Sequence, residues 1–444
     1  MEKLTLSGPL SQEIFNETQK YTNLLTRPYQ FNMREMIRGM ILSGSTYLNH
    51  IGKANGTNGT ERKTIERLSR TLEKLPTEKF AKIHVQNQAH FYKNEAILIL
   101  SDGGDFQKPY AKKMDMVNKA IDGSNGHKVG IGYPLHSLMA LGLDSGNLDT
   151  LALRVYSTLE EGFKGVFDEE KKNFELLRPL IMGSTRDRII VEDRGCDDEK
   201  RFLYFVNDLK SSFVTRLHTG EKSRIVMVRD EEGDYKKYSI QDLAKKLKPR
   251  AKDERTWWNN KIKKKLKSNI AFETVYLPDH PGIRLFAIFC YSEGYEQPLV
   301  VLTDLKTDSG IKAWKHFFYY KKRWEVENFY RAIKQNFSAE KFLILDFNKI
   351  KALTFLVMVA FSLILRIKRK AKEFLGMLAM VFKSFCKKTQ RSGKHHLDLL
   401  AFIRDHFATF EPSFYYRFYA ARLRENLSRI NKKQLKLFNP NKIW

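Results

Sequence analysis

The stretch that decides the fold reads Tyr319-Tyr-Lys-Lys-Arg-Trp-Glu-Val-Glu-Asn-Phe-Tyr-Arg-Ala-Ile-Lys-Gln335. Taken as one helix at about 100° per residue, it places four polar side chains within about 60° of one another. These are Tyr320, Arg323, Glu327 and Lys334. An apolar stripe lies beside them, formed by Phe318, Val326, Phe329, Tyr330, Ile333 and Phe337. The pattern therefore predicts an anchored helix that presents an acid between basic residues.

A carboxylate in this setting has two common uses. It can ligate a divalent metal while its basic neighbours hold phosphates, which is the division of labour that phosphoryl transfer needs. It can also form a solvated face of salt bridges, because Glu327 lies four residues after Arg323 and four before Arg331. For an arbitrary helix the solvated face is the commoner case. The spacing of the four polar residues therefore has to distinguish between the two uses.

The spacing of the four residues resembles the Tyr-Arg-Glu-Lys signature of DDE transposases of the insertion-sequence-four type. Two residues separate Tyr320 from Arg323, three separate Arg323 from Glu327, and six separate Glu327 from Lys334. The resemblance implies an RNase H-like α/β core in which Glu327 is the third catalytic acid. It also implies two aspartates upstream, each at the end of a strand. Arg323 and Lys334 would hold DNA phosphates, and Tyr320 would contact the DNA backbone.

The first aspartate is sought after the run Ala96-Ile-Leu-Ile-Leu-Ser-Asp102, which is followed by Gly103-Gly104-Asp105. An apolar run that ends in an acid predicts a buried strand that delivers a carboxylate to a loop. An ordinary strand ending in an Asp-Gly-Gly turn has the same pattern. The resembled family has a hydroxyl residue where Gly104 stands, so Asp102 is the choice and Asp105 the alternative.

The second aspartate is sought after Arg188-Ile-Ile-Val-Glu, where Asp193 opens an Asp-Arg-Gly sequence typical of the resembled family. Asp197 and Asp198 are alternatives, but acids at these positions suit the N-terminus of a helix predicted over 198–209. Further strands are predicted at 133–141, 151–156 and 212–217, with a helix over 164–180 between them. Three strands, helix, strand, helix, strand is the order of an RNase H-like core.

The predicted organisation has five parts. A helical region, 1–92, is a candidate reader of DNA ends or a helical cap. The core is expected over 93–218, interrupted by a β-rich insertion over 219–310, and completed by the signature helix over 311–345. A helical C-terminal region, 346–444, would pair two protomers if the resemblance holds. Within the insertion, Trp257, Trp258 and the lysines of 261–267 form a basic aromatic run that could track DNA or be a solvated loop.

Composition narrows the class of partner. The chain has 444 residues, with 78 Lys and Arg against 51 Asp and Glu, and a formal net charge of +27. Such a charge attracts a polyanion, and double-stranded DNA is the first candidate. The apolar run Ala352–Leu365 is too short to span a bilayer, and Met1–Pro9 lacks a signal-peptide core. Three distant cysteines fit a reducing interior, so a cytoplasmic bacterial protein without a membrane partner is expected.

The resemblance and the charge together predict a cut-and-paste DNA transposase. Asp102, Asp193 and Glu327 would converge on two Mg²⁺ ions, with Mn²⁺ as a substitute, since oxygen ligands suit these ions. The partners would be DNA at the element ends and target DNA, bound by a homodimer. Two alternatives stay open: a two-metal DNA nuclease of the same fold, and a catalytically inactive DNA-binding regulator derived from a transposase.

Overall fold

The protein is mixed α/β, and its strands form one mixed sheet. The computed structural model describes residues 8–56, 59–111, 113–122, 128–249, 253–259 and 264–378. The chain divides into two units, residues 1–76 with 332–444 and residues 77–331. The predicted helix over 397–407 and the aromatic segment 415–419 lie outside the described residues, as does most of the region expected to pair protomers.

The helices of the described residues are α1 (Gly8–Gln19), α2 (Arg27–Ser43), α3 (Leu48–Ala54), α4 (Glu61–Lys74), α5 (Thr77–Phe91), α6 (Val166–Leu176), α7 (Arg178–Met182), α8 (Glu199–Leu203), α9 (Ile240–Lys246), α10 (Gly310–Lys321), α11 (Trp324–Asn336) and α12 (Phe347–Leu378). A π-helical turn, Tyr204–Leu209, continues α8. The predicted helix over 198–209 is thus confirmed, and Asp198 caps it by accepting a hydrogen bond from the Lys200 amide.

The first unit is helical. Helix α12 packs against α1, α2 and α4, and its apolar residues form the centre of this unit. The rings of Tyr21 and Phe355 meet edge to face with centroids 5.7 Å apart. Buried Glu17 is neutralised by Arg366, whose guanidinium lies 2.6 Å away.

The apolar run Ala352–Leu365 belongs to a longer apolar helix than its own length suggests. The segment Phe347–Arg369 of α12 has 23 residues and is long and apolar enough to cross a membrane. The prediction that the run is too short to span a bilayer is therefore wrong. In the structure 83% of the most apolar window of this segment is buried, as in the core helix of a soluble protein.

The second unit holds the sheet. Its strands are β1 (Ile97–Gln107), β2 (Asn118–Asp122), β3 (Lys128–Gly142), β4 (Leu148–Val155), β5 (Arg188–Glu192), β6 (Ser212–Arg216), β7 (Ile225–Arg229), β8 (Tyr235–Ser239), β9 (Arg255–Asn259), β10 (Lys264–Leu277), β11 (His280–Ser292) and β12 (Leu299–Thr303). The order is β2-β3-β1-β5-β6-β12-β11-β10-β7-β8, with β4 paired to β3 and β9 to β10. The pairs β1–β5 and β5–β6 are parallel, and the other pairs are antiparallel.

The sequence predicts strands in the insertion at 224–228, 272–276, 284–291 and 299–302. They are present in β7, β10, β11 and β12, and they extend the central sheet. Strand β12 pairs antiparallel with β6, and the Leu217 amide donates to the Val300 carbonyl at 2.9 Å. The chain therefore leaves the sheet after β6 and returns beside it. Helix α9 and strands β8 and β9 were not predicted. Helix α5, which lies inside the predicted N-terminal region, packs on β4 and α7 of this unit.

Candidate functional site

Strand β1 carries Asp102. Residues Ile97 to Leu100 are fully buried and pair in parallel with β5, as the apolar run predicts. The strand does not end at Asp102. It continues to Gln107 because Gly103 and Gly104 pair with His136 and Leu135 of β3, so the expected loop or turn after Asp102 is wrong.

Asp193 directly follows β5, all five residues of which are buried. The Cys196 amide bonds back to the Asp193 carbonyl at 2.9 Å and closes a tight turn that ends the strand. Leu100 of β1 is the parallel partner of Val191 of β5. Asp102 and Asp193 each come two residues after this pair, so they lie side by side at the same end of neighbouring strands.

The signature stretch forms two helices, α10 and α11, where one continuous helix was predicted. The chain bends at Lys322 and Arg323, where hydrogen bonds span three residues: the Arg323 amide bonds to Tyr320, and the Val326 amide to Arg323. The apolar stripe behaves as predicted on α11, where Val326, Phe329 and Tyr330 are buried.

The guanidinium of Arg323 lies among the three predicted acids. Its Nη1 donates to Asp102 Oδ2 at 2.8 Å, and its Nη2 donates to Glu327 Oε1 at 2.6 Å. Nη2 also lies 3.6 Å from Asp193 Oδ2. The acids keep between 22% and 36% of their side-chain surface exposed, whereas Arg323 keeps 10%. Three carboxylates from two strands and a helix thus surround one buried cation.

The acids differ in their readiness to ionise. Burial, opposed by Arg323 but reinforced by the charges of Asp193 and Glu327, raises the pKa of Asp102 to about 7. Burial also acts on Asp193, but Arg323, the Arg194 amide and Tyr320 outweigh it and hold the pKa of that carboxyl below its usual value. Burial lowers the pKa of Arg323, yet the surrounding acids raise it overall and keep the guanidinium charged.

Two tyrosines hold the acids in place. The Tyr320 hydroxyl donates to Asp193 Oδ1 at 2.8 Å. The Tyr330 hydroxyl donates to the main-chain carbonyl of Asp102 at 3.0 Å. Burial and the nearby Asp193 charge raise the pKa of Tyr320 to about 12, so it remains a hydrogen-bond donor at neutral pH. Tyr320 therefore contacts an acid of the site in this structure.

A buried polar layer lies behind the acids, and it was not predicted. Asn173 donates to His136 Nδ1 at 3.0 Å, and His136 Nε2 lies 3.1 Å from Ser101 Oγ. Ser101 donates to Glu192 Oε1 at 3.1 Å, and that oxygen also accepts from Arg201 at 3.0 Å. Ser101 and Glu192 immediately precede Asp102 and Asp193, so they point to the opposite face of the sheet. A polar residue before each acid in an apolar strand is the signal that could have revealed this layer.

Charge in the layer is shared unevenly. Arg201 bonds to both Glu192 and Glu170, so one guanidinium serves two buried carboxyls. Burial and the Glu170 charge raise the pKa of Glu192 to about 7, against the effect of Arg201. Burial, helped by Arg201, lowers the pKa of His136 to about 3. His136 is therefore neutral, and its contacts assign the proton to Nε2, which donates to Ser101.

Lys334 and Trp257, which were predicted to contact DNA, both have partners within the protein. Lys334 lies in the last turn of α11 and belongs to the first unit, where its ammonium pairs with Glu340 at 2.7 Å. Trp257 donates to Ser268 Oγ at 2.9 Å, and Lys321 lies over its ring at 4.2 Å from the centroid. The Trp257 ring also meets the Phe317 ring, so it packs within the unit. Residues 260–263 and the Trp258 side chain lie outside the described parts.

A polar pocket opens beside the turn that follows Asp193. Three of its lining side chains carry or can carry positive charge: Arg194, His218 and Lys222. The other lining residues are Thr219, Gly220, Glu221 and Gln297. Thr219 donates to Gln297 across it at 3.0 Å. The chemistry of this lining suits an anionic ligand.

The site fits a divalent cation by its donors. Three carboxylates share one guanidinium, which leaves excess negative charge and oxygen atoms of the kind that Mg²⁺ and Mn²⁺ bind. The described residues contain one group of three acids whose oxygens already lie within 4.8 Å of one another: Asp230, Glu232 and Asp234. That group lies in the exposed turn between β7 and β8, where Asp230 accepts from two main-chain amides and pairs with Lys236.

Comparison with known proteins identifies no family for this chain. No protein-family model matches it, and no curated protein matches it.

Proposed function

We propose that the protein is a DNA transposase that cuts and joins DNA by metal-dependent phosphoryl transfer. One observation carries the proposal: Asp102, Asp193 and Glu327, which are far apart in the sequence, lie around the single guanidinium of Arg323. A solvated salt-bridge face would not need acids from two neighbouring strands. The bend between α10 and α11 and the burial of Arg323 likewise favour a built site over a surface ion pair.

The strand order supports an RNase H-like core as the scaffold. The path β4-β3-β1-β5-β6 has β3 antiparallel to β1, whereas β1, β5 and β6 run parallel. Asp102 and Asp193 lie on or directly after adjacent strands, the first and fourth of this core. Helix α11 brings the third acid. This agrees with the arrangement that the Tyr-Arg-Glu-Lys spacing implies.

Asp102, Asp193 and Glu327 would hold the metal, two Mg²⁺ ions with Mn²⁺ as a substitute. Bound ions of this kind activate the attacking hydroxyl and stabilise the leaving oxygen. The chain's own residues prepare the acids for this task. Arg323 and Tyr320 favour the ionised form of Asp193, and Tyr330 holds the main chain at Asp102. Asp102, with a pKa of about 7, accepts a cation fully only once it has lost its proton.

The positive side chains would hold the DNA. A net charge of +27 draws the protein to a polyanion, and Arg323, Lys334 and the pocket beside Asp193 offer phosphate-binding groups. Tyr320 would contact the backbone beside the cut. Water attack would free a 3′ hydroxyl at each element end, and that hydroxyl would then attack target DNA. A homodimer acting in the bacterial cytoplasm would bring two ends together.

The test is nicking and joining of DNA that carries the ends flanking the gene. Wild type would be compared with Glu327→Gln, and Glu325→Gln would serve as the control because it removes a nearby carboxylate on the same helix. Mg²⁺-dependent joined products from wild type and the control, and none from Glu327→Gln, are expected. Cleavage without joining would identify a nuclease instead. DNA binding without cleavage in either Mg²⁺ or Mn²⁺ would identify an inactive regulator.

A further inference from the structure

Arg323 bonds to two of the three acids and lies close to the third. Both of its terminal nitrogens are used: Nη1 on Asp102, and Nη2 on Glu327 with Asp193 nearby. In the described residues no other cation contacts more than one of these three acids. Arg216 reaches Asp193 only, at 3.9 Å. The guanidinium is thus the one positive charge at the centre of the carboxylate cluster.

The proposed function asks Arg323 to do something else. To hold a DNA phosphate it has to turn away from at least one acid, because both Nη nitrogens already face the acids and the remaining nitrogen, Nε, is buried. If the acids hold metal, a positive guanidinium at 2.6 to 2.8 Å from two of them opposes a second cation. The two sets of partners therefore exclude one another.

We propose that Arg323 is a resident cation that keeps divalent metal out of the free protein and yields the acids when a DNA phosphate draws it away. The inference rests on the proposed function and adds the order of events to it. DNA would bind before the metal site is complete. Binding of one ligand would strengthen the other by the same factor, as linkage requires. A protein that binds metal only after it has bound DNA carries no complete metal site while it is free. It therefore has little chance to cleave DNA at other places.

The closing experiment measures Mn²⁺ affinity in the absence of cleavage. Free Mn²⁺ is followed by electron paramagnetic resonance during titration of the full chain. Arg323→Gln is expected to bind Mn²⁺ about tenfold more tightly than wild type, within the range usual for coupled sites. Without Mn²⁺ this variant is expected to melt at a lower temperature, since its carboxylates have lost their counter-charge, and Mn²⁺ should restore the loss.

The control is Arg331→Gln, which removes an exposed guanidinium on α11, the helix that begins directly after Arg323. Arg331 contacts Asn328 and lies over the Trp324 ring, outside the acid cluster. Its Mn²⁺ affinity should equal that of wild type. Unchanged or weaker Mn²⁺ binding by a folded Arg323→Gln would overturn the inference. Asp102→Asn distinguishes a failure of this inference from a failure of the proposed function. Mn²⁺ binding that persists unchanged in that variant counts against the proposed function, because Asp102 would then not be a ligand of the catalytic metal.

A second measurement needs no variant at Arg323. Wild type is titrated with Mn²⁺ alone and with a duplex carrying the flanking ends, in which the scissile linkage is replaced by an uncleavable one. Mn²⁺ should bind about tenfold more tightly with the duplex. Equal affinity with and without the duplex would overturn the inference even if Arg323→Gln failed to fold.

Discussion

The ring of Tyr330 occupies the space that a side chain on Gly104 would need. A Cβ built on Gly104 would lie 2.6 Å from both Cε1 and Cζ of that ring, closer than real contacts allow. The Tyr330 hydroxyl meanwhile bonds to the Asp102 carbonyl two residues earlier on the same strand. Gly104 thus lets α11 approach β1 closely, which sets the separation between Glu327 and Asp102.

Gly104→Ala should lower stability and activity together. The added methyl group forces the ring or the helix away, and overpacking of this kind costs about 1–3 kcal/mol of unfolding free energy. Urea unfolding and nicking assays would measure both effects. Gly103→Ala is the matched control, since its Cβ would meet nothing closer than a carbonyl oxygen at 4.0 Å. Equal behaviour of the two variants would contradict the close approach.

The two candidate aspartates on β1 can be told apart by their position on the strand. Asp102 and Asp105 are three residues apart, so a regular strand directs them to opposite faces, and Asp102 is the one bonded to Arg323. Asp102→Asn should reduce nicking about 10²- to 10⁴-fold, because metal ligation supplies several kcal/mol. Asp105→Asn should retain far more activity if it folds. Loss of activity in a folded Asp105→Asn with normal activity in Asp102→Asn would reverse the assignment.

Tyr320→Phe should raise the pKa of Asp193. The hydroxyl donates to Asp193 and helps to keep the pKa of that carboxyl below its usual value. Without it the pKa should rise, and titration of the Asp193 carboxyl carbon by NMR would measure this directly. A pH–rate profile would not, because Asp102, with a pKa of about 7, sets its acidic limb. Tyr319→Phe is the control because its ring packs on His316. An identical pKa of Asp193 in Tyr320→Phe and wild type would show that the bond does not tune Asp193.

The neutral His136 should make stability depend on pH. Its pKa is about 3 in the folded protein against 6.5 ordinarily, so its contribution is complete above pH 6.5 and is lost as pH falls toward 3. Between pH 7 and pH 5 wild type should lose about 2 kcal/mol through this group. His136→Gln should lose correspondingly less over the same interval in urea titrations. Glu192, whose pKa is raised, acts in the opposite direction, so only the difference between the two proteins is diagnostic. Parallel pH curves would contradict a buried neutral histidine.

The positions of the three acids could be predicted from the sequence because each acid has a local signal. Asp102 and Asp193 are each preceded by a run of apolar residues, and Glu327 has fixed neighbours on a helix. The bend at Arg323 has no such signal, since a change from four-residue to three-residue hydrogen bonds leaves the apolar periodicity almost intact. Gly103-Gly104 favours a turn by propensity, but β3 supplies hydrogen bonds that keep it extended.

The buried layer could not be assembled from the sequence for a different reason. Glu192, Arg201 and His136 are residue types that are usually exposed or only partly buried. Apart from the bond between Arg201 and Glu192, their partners lie 31 to 91 residues away along the chain. Only the pairing of β1 with β3 and β5 brings them together. Long-range contacts of this kind depend on the register of the sheet, which no single segment encodes.

The late return of β12 to the side of β6 has a consequence for synthesis on the ribosome. Strand β6 ends at Arg216 and its neighbour β12 begins at Leu299, so about 80 residues, or roughly 4 to 16 s of translation, pass before that edge is covered. Glu327 emerges later still. The nascent chain therefore offers an open strand edge to chaperones or to other nascent chains, and the carboxylate cluster around Arg323 cannot form until nearly the whole second unit has left the ribosome.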